Sequence, residues 1–597
     1  MSQLPFTSSD ASPVMLTSHA MLIPWGAFAK QIGLVAALEQ VPIDQRQRDH
    51  RPQTKLIEFL VSILSGCAYL QDISRGSHPL DQDRAVVQAW GQDSWADYSG
   101  VSRTLQACDE GTILGIREAL ARTSQPFIQQ EVVLALRDRG VLIYDGDLTG
   151  RPVSNTSTTY PGAAFGWMSD SVRLGYQAAL VSMHSPSYGR LWLSVKQHAG
   201  DTVSSSQAEA MVRAAETCTG AYPWRRVDML VKRIQQQQAV LQQEETKWLR
   251  ARERVEQTRH RLDQTEGELA RWTQEVTDLD TLYQGQNRPV RPHGRLAQAR
   301  RKQTVCDKRA ARRQRELEQA SRWWEGRQQT VAVLRAELEN LDRRLAQLEA
   351  DNRANPCPIR AIFRLDGGFG HGDNIALLVE MGYDVYSKAA NAQVTRALRR
   401  RAAAGANWTR VGKNAEMVAW AQETITRCPY PLEVALEHFQ TGDQEKYGTL
   451  LHFGSEEAAA DLVGWFSFYN GRQIIEAGIK EGKCVFQMHH LKVRSAAGLA
   501  IQEEFAAFGA NFVRWAAEWL HRSNPTAPAP FNQPQPNVKQ MVRIAANTSA
   551  WVIWQPGGCL LSFTDLSVYA GTQLVIQDSL AIQLALPLFK SCVFSPI

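Results

Sequence analysis

The sequence predicts an α/β protein: a mixed sheet with helices, interrupted by a long antiparallel coiled-coil insertion and a smaller β-rich insertion, with a helical N-terminal domain. Three observations predict it. Residues 1–135 read as mostly helical, strand-like and helix-like segments alternate from residue 138, and a heptad pattern occupies 226–352 around one Pro/Gly break.

At 597 residues the chain needs more than one core. A formal net charge of only +5 leaves any nucleic-acid affinity to local patches. The nine cysteines are scattered and never form CxxC, which argues for reduced thiols and against a zinc site or disulfide framework. The start, Met1-Ser-Gln-Leu-Pro, lacks a secretory pattern, and no apolar run reaches membrane-spanning length. A cytoplasmic protein with no membrane partner is expected.

In order along the chain, Phe28–Leu38 and Leu56–Gly66 carry buried or amphipathic helical patterns, and Ser99–Ala107 reads as a short capped helix or a DNA-reading one. Residues 136–225 open the α/β part. Val141-Leu-Ile-Tyr-Asp-Gly-Asp147 alternates, with Asp145 and Asp147 on one face. Residues 175–183 and 190–196 form a hairpin around Ser185-Pro-Ser-Tyr-Gly189, and a capped helix follows from Ser204 to near Gly220.

Over 226–352, Ile234, Leu241, Trp248, Val255, Leu262, Leu269, Val276 and Tyr283 recur every seven residues, with a weaker seam at Ala251, Thr258, Thr265, Trp272 and Leu279. After Gly285–Gly294 the register resumes at Leu317, Trp324, Val331, Leu338 and Leu345. Two such arms around one turn make an antiparallel coiled-coil hairpin. The second arm opens with a basic run that includes Arg300, Arg301, Arg309 and Arg312, with Asp307 as its lone acid, and DNA-backbone contact or subunit bridging is expected there.

Residues 353–522 resume the α/β pattern: a strand over Ile359–Asp366 stopped by Gly367-Gly368, a helix from Asn374, a strand at Tyr383–Lys388, and the β-rich insertion at about 390–455. Next comes Tyr469-Asn-Gly-Arg472-Gln-Ile-Ile-Glu476 through Lys483, of the form Tyr-x2-Arg-x3-Glu-x6-Lys. On one helix these four residues fall within roughly 60° of one another. Residues 502–516 predict an apolar core helix, 523–537 a Pro-rich linker, and 538–597 a small β-leaning tail.

Asp147 and Asp366 end strands and Glu476 sits on a helix. Carboxylates at neighbouring strand ends, joined by a third, repel one another unless a cation lies between them, which suits Mg²⁺ or Mn²⁺. Two such ions serve in-line displacement at phosphorus. No Walker, HExxH or GxSxG motif appears, so no nucleotide cofactor is expected, and His489-His490 lacks companions at ligand spacing.

The element order, the three acids and the Tyr-x2-Arg-x3-Glu-x6-Lys spacing resemble the RNase H-like core of DDE transposases of bacterial insertion sequences. Asp147-Leu-Thr149 looks like the family's first-aspartate motif, and Asp366-Gly-Gly-Phe-Gly370 like its second. The resemblance covers roughly 137–225 and 357–520. It implies that Asp147, Asp366 and Glu476 are catalytic ligands of two metal ions, and that Tyr469, Arg472 and Lys483 bind phosphates. It further implies cleavage at inverted-repeat transposon ends and joining of the 3′-hydroxyl to target DNA. The N-terminal region would recognise the ends, and a homodimer on DNA would bring two of them together. Asp145 competes with Asp147 for the first position. The rival from another class is a non-catalytic, repurposed DNA-binding scaffold that assembles through its coiled coil.

Overall fold

The computed structural model describes residues 13–578, apart from 169 and 288. Arg225–Ala354 forms one compact unit, and the two segments flanking it together form another. The strands, in chain order, begin with β1 (Val14–Thr17), β2 (Val141–Pro152), β3 (Ala164–Met168), β4 (Ser171–Ser185) and β5 (Gly189–Ala199). They continue with β6 (Arg360–Leu365), β7 (Asp384–Lys388), β8 (Thr409–Gly412), β9 (Ala415–Glu423), β10 (Leu432–Thr441) and β11 (Gln444–Phe453). Near the end lie β12 (Ala550–Gln555), β13 (Gly558–Phe563) and β14 (Gln573–Gln577).

The main sheet is mixed, in the order β3-β4-β2-β6-β7-β11-β10-β9-β8, with β5 paired to β4. The hairpin expected around 185–189 is the β4–β5 pair, closed by Ser185 opposite Gly189. Strand β2 runs antiparallel to β4 and parallel to β6, and β6 runs parallel to β7. Its two faces are both covered, which suits a near-continuous apolar start. On one face the Tyr144 hydroxyl meets Thr219 Oγ1 at 3.1 Å, on the helix Ala208–Thr219. Gly146 leaves that helix room, since a Cβ there would lie 2.8 Å from both Leu365 Cδ2 and Met211 Cε. On the other face Val141 and Ile143 join Ile362, Tyr386, Trp465 and Tyr469 in one apolar cluster.

The β-rich stretch expected as an insertion extends this sheet. Antiparallel β11 pairs with β7, Leu450 opposite Lys388, and β10, β9 and β8 follow in turn. Backbone groups that would form an exposed edge at β7 are thereby satisfied.

The N-terminal helices Leu22–Gln31, Pro52–Leu64 and Glu110–Arg139 gather around the long helix Ala496–Ser523. Phe28 and Phe512 lie 5.4 Å apart between ring centroids, Phe59 and Phe505 6.0 Å, and Phe127 stacks on Trp515 at 4.5 Å. The helix expected over 28–38 is divided at Gly33, whose φ of 73° ends one helix and starts Leu34–Glu39. Strand β1 pairs with β12 in a second sheet, β1-β12-β13-β14, so the β-leaning tail is joined to the N-terminal segment. The Pro-rich stretch expected as a linker is seated on that sheet. Asn524 exchanges two hydrogen bonds with the Val575 backbone (3.0 and 2.8 Å), and Phe531 packs on Phe563 at 5.1 Å.

The second unit is a helical hairpin, Val227–Gly285 and Arg295–Ala354. Its buried positions recur at heptad spacing: Ala251, Thr258, Thr265 and Leu279 on one arm, and Ala320, Leu341 and Leu348 on the other. The seam that looks weaker in the sequence is thus the better buried one. The second arm also keeps its register earlier than Leu317, with Leu296, Ala299 and Cys306 buried. Polar Gln303 and Arg313 at seam positions hide that continuity from a hydrophobic scan. At the base, the Arg225 backbone N–H donates to Asn352 Oδ1 (2.7 Å), and Asn352 Nδ2 donates back to the Arg225 carbonyl (3.0 Å).

Candidate active site

The parallel register of β2 and β6 sets Gly146 opposite Leu365, so Asp147 and Asp366 come next in that register. Asp147 lies inside β2 rather than at the strand end expected, because β2 runs on to Pro152 in its pairing with β4, and Asp366 follows the last residue of β6. Neighbouring strands lie about 4.8 Å apart. The third acid arrives on the helix Gln473–Cys484.

The expected single helix carrying Tyr469 through Lys483 is two helices, Leu462–Asn470 and Gln473–Cys484. Between them the Arg472 N–H donates to the Tyr469 carbonyl and the Ile475 N–H to the Arg472 carbonyl, a tighter winding than the α-helix. Gly471 makes the turn possible, because a Cβ there would lie 2.7 Å from Arg364 Nη1. The change of winding turns Tyr469 inward. It is buried, and its hydroxyl donates to the Leu365 carbonyl at 3.1 Å.

Arg472 turns toward the acids. Its Nη1 donates to Asp147 Oδ2 at 3.2 Å and its Nη2 to Glu476 Oε1 at 2.8 Å. Asp366 accepts the Gly368 N–H at 3.0 Å, which fixes the turn after β6. Burial pushes the Asp147 carboxyl up to about 6, with Arg472 pulling down and Asp366 pushing further up. Asp366 is likewise raised, first by burial, against Arg472 and the Gly368 and Phe369 amides, with Glu476 adding repulsion. For Arg472 itself, burial works toward a lower pKa, but Asp147, Tyr469, Asp366 and Glu476 together hold it above its ordinary value. The three acids and the guanidinium therefore form one electrostatic cluster.

Alternate residues of β2 continue the pattern on the same face. The two oxygens of Asp145 accept Arg364 Nε (2.6 Å) and Nη2 (2.8 Å), and both side chains are buried. Thr149 Oγ1 accepts Lys483 Nζ at 2.7 Å. Burial lowers the Lys483 pKa, partly opposed by Asp147 and assisted by Arg151. Buried Arg151 pairs with Glu503. Strand β2 thus carries four polar side chains in a row, each with a partner from another element. With both its oxygens committed to Arg364, Asp145 is not free for a ligand, whereas Asp147 keeps Oδ1 engaged only by its neighbouring Leu148 N–H (2.8 Å).

The helix bearing Glu476 is locked by its far side. Arg190 donates to the Ile474 carbonyl (2.7 Å) and to Glu481 (3.2 Å), and Arg514 binds both Glu481 oxygens at 2.9 Å. One residue escaped the sequence reading. Lys388 ends β7, next to Asp366 across the parallel pair, and its ammonium lies 3.0 Å from buried Glu437 and 5.6 Å from the Tyr469 ring centroid. Only the register of three strands brings it there, so no local motif marks it.

Three carboxylates without sulfur or imidazole are a donor set for a hard divalent cation. Their mutual repulsion, now offset by Arg472, is the condition under which such an ion is favourable. Among the described residues, no three acidic, histidine or cysteine side chains form a ready ligand set, so seating an ion requires the carboxylates to draw together as Arg472 releases Asp147 and Glu476. In donor chemistry the residues fit the group.

The basic run of the helical hairpin is divided by its surroundings. Arg300 pairs with Asp280 (2.7 Å), Arg309 with Glu268 (3.5 Å), Arg295 with Glu275 (3.4 Å), and Lys302 lies 4.3 Å over the Trp272 ring. Arg312 and Arg313 both reach Glu316. The acids missing from the local sequence come mostly from the other arm. Arg301 has no such partner among the described residues.

No protein-family model matches the chain, and no curated protein matches it. Among the described residues, no helix is long and apolar enough to cross a membrane.

Proposed function

We propose that the chain is a metal-dependent DNA transposase of the DDE type, cleaving transposon ends and joining the 3′-hydroxyl to target DNA. One observation carries this reading: Asp147 within β2 and Asp366 just past the end of β6 come next to each other in the parallel register, and Arg472 links Asp147 to Glu476. The strand order β5-β4-β2-β6-β7, three antiparallel strands followed by two parallel ones, supports an RNase H-like core.

Asp147, Asp366 and Glu476 would hold two Mg²⁺ or Mn²⁺ ions, which supply Lewis-acid charge for phosphodiester displacement. Arg472, released from the acids, is placed to take a phosphate by its planar fork, and Lys483 to give a point charge beside it. Tyr469 acts as a positioning residue, holding the end of β6 through the Leu365 carbonyl. The helix Tyr98–Ala107, which exposes Arg103 and Gln106, is the N-terminal candidate for reading inverted repeats. The reaction pairs two ends, hence a homodimer on DNA, in the cytoplasm.

The test is cleavage of DNA carrying the repeats that flank the gene. With Mg²⁺ the wild type should give nicked and joined products, and Asp366→Asn and Glu476→Gln should each reduce them by at least about a thousand-fold. Retained activity in both variants would refute the assignment. A second reading, a non-catalytic DNA-binding scaffold, is favoured by the Arg472 lock across two of the acids. It predicts binding to the same DNA with no product at any metal concentration.

A further inference from the structure

The helical hairpin contains a second pattern, distinct from the cross-arm pairs. Leu296, Gln303, Ala310, Leu317 and Trp324 occupy one seam row of the second arm, and Ala299, Cys306, Arg313 and Ala320 the other. In that register Arg295, Arg300, Lys302 and Arg309 flank the seam, where side chains meet the opposite helix. Those are the cations that Glu275, Asp280, Trp272 and Glu268 engage.

Arg301, Lys308, Arg315 and Arg322 fall at the outermost position of four successive heptads. All four are exposed, and none has an acidic partner among the described residues. Asp307, Glu318 and Glu325 belong to other rows of the heptad, and Glu318 is engaged by Gln314 (3.4 Å). The physics of the heptad thus sorts one basic run into two sets. Cations beside the seam are neutralised within the hairpin, and cations opposite the seam are left for something else.

We propose that this outer stripe binds the sugar–phosphate backbone of duplex DNA without reading sequence. Seven residues rise about 10 Å, so four cations span roughly 30 Å, close to one turn of B-DNA. Beside the stripe, Thr304, Val305, Ala311 and Arg312 include a single exposed valine and none of the aromatic side chains that anchor a protein partner. An evenly spaced row of charge on a straight helix suits a linear polyanion, whose condensed counterions it displaces. The choice of DNA rests on the function proposed above. The stripe itself rests only on the hairpin.

The experiment measures binding of the full chain to random-sequence duplex across a salt series, alongside end cleavage. Replacing Arg301, Lys308, Arg315 and Arg322 together with Gln should lower the slope of log K against log salt by about 3.6, since each phosphate contact contributes roughly 0.9. Gln suits exposed helical positions, so helix content should be unchanged. The variant with Arg301→Lys, Arg315→Lys and Arg322→Lys keeps the charge and should keep the wild-type slope. A Gln variant with the wild-type slope overturns the inference while cleavage leaves the transposase reading standing. A wild type that neither binds duplex nor cleaves ends overturns both. A Gln variant that loses slope in a chain without cleavage upholds the stripe and overturns the enzyme.

Discussion

Asp145 and Asp147 are two residues apart on one strand face, yet their surroundings assign them different work. Asp145 is fixed in a buried bidentate pair with Arg364, and Asp147 stands where β2 meets the acid cluster. Removing one partner of a buried pair leaves the other uncompensated, so Asp145→Asn should destabilise the protein by about 3 to 5 kcal/mol in urea titrations. A loss below about 1 kcal/mol would mean that Arg364 finds another acceptor. The sequence shows the alternation that puts both aspartates on one face. It does not show Arg364, because that pairing depends on strand register between segments more than two hundred residues apart. Another buried charge offers a pH test. Burial lowers Lys492 from the ordinary 10.5 to about 8, while Cys67 and Asp72 pull it upward, and its ammonium donates to the Cys67 and Ala68 carbonyls. A depressed lysine binds fewer protons folded than unfolded between those values. Its contribution to stability therefore increases as pH rises from about 8 toward 10.5. The difference in stability between wild type and Lys492→Met, followed by denaturant titration at pH 7, 8, 9 and 10, should grow in that direction. A pH-independent difference would contradict it.

At the scale of elements, the sequence exposes what repeats locally and conceals what depends on a neighbour. The heptads, the 185–189 hairpin turn and the strand ending at Asp366 follow from residues close in sequence. The break at Gly471 does not, since its reason is the approach of Arg364 from β6. The same holds at Gly478, where a Cβ would lie 2.4 Å from Arg190 Cζ. An alanine for glycine in a helix ordinarily gains about 1 kcal/mol. Here the added methyl must displace a buried guanidinium, so Gly478→Ala should instead lose roughly 1 to 3 kcal/mol and lower Tm. A stabilised variant would show that Arg190 is not held against the helix. The basic run of the second arm makes the same point in electrostatics: its balance of charge is set by acids that lie 20 to 41 residues away on the opposing arm.

At the scale of the molecule, the helical hairpin leaves and rejoins the chain at nearly one point. In the larger unit, Asn355 Nδ2 donates to the Tyr222 carbonyl at 2.9 Å, and the Ile359 N–H donates to the same carbonyl at 3.3 Å. Replacing residues 226–352 with a short Gly/Ser link should therefore leave a folded protein that keeps a cooperative thermal transition and binds duplex with a salt slope lowered about as far as in the fourfold Gln variant. Aggregation of that variant with loss of the transition would show that the hairpin is needed for folding. The heptads alone mark the stretch 226–352, which lies within the compact unit Arg225–Ala354. The union of the N-terminal helices, the Ala496–Ser523 helix and the terminal sheet was not legible in the sequence, because aromatic side chains from opposite ends of the chain build one core and carry no local signature of their partners. Strand β1 illustrates the consequence: Val14 waits for Ile553. At roughly 5 to 20 residues per second on the ribosome, the first strand has no partner for on the order of a minute after it emerges. Folding of this protein is thus gated by the synthesis of β12, and a product cut short before it never acquires the strand that pairs with its leading edge.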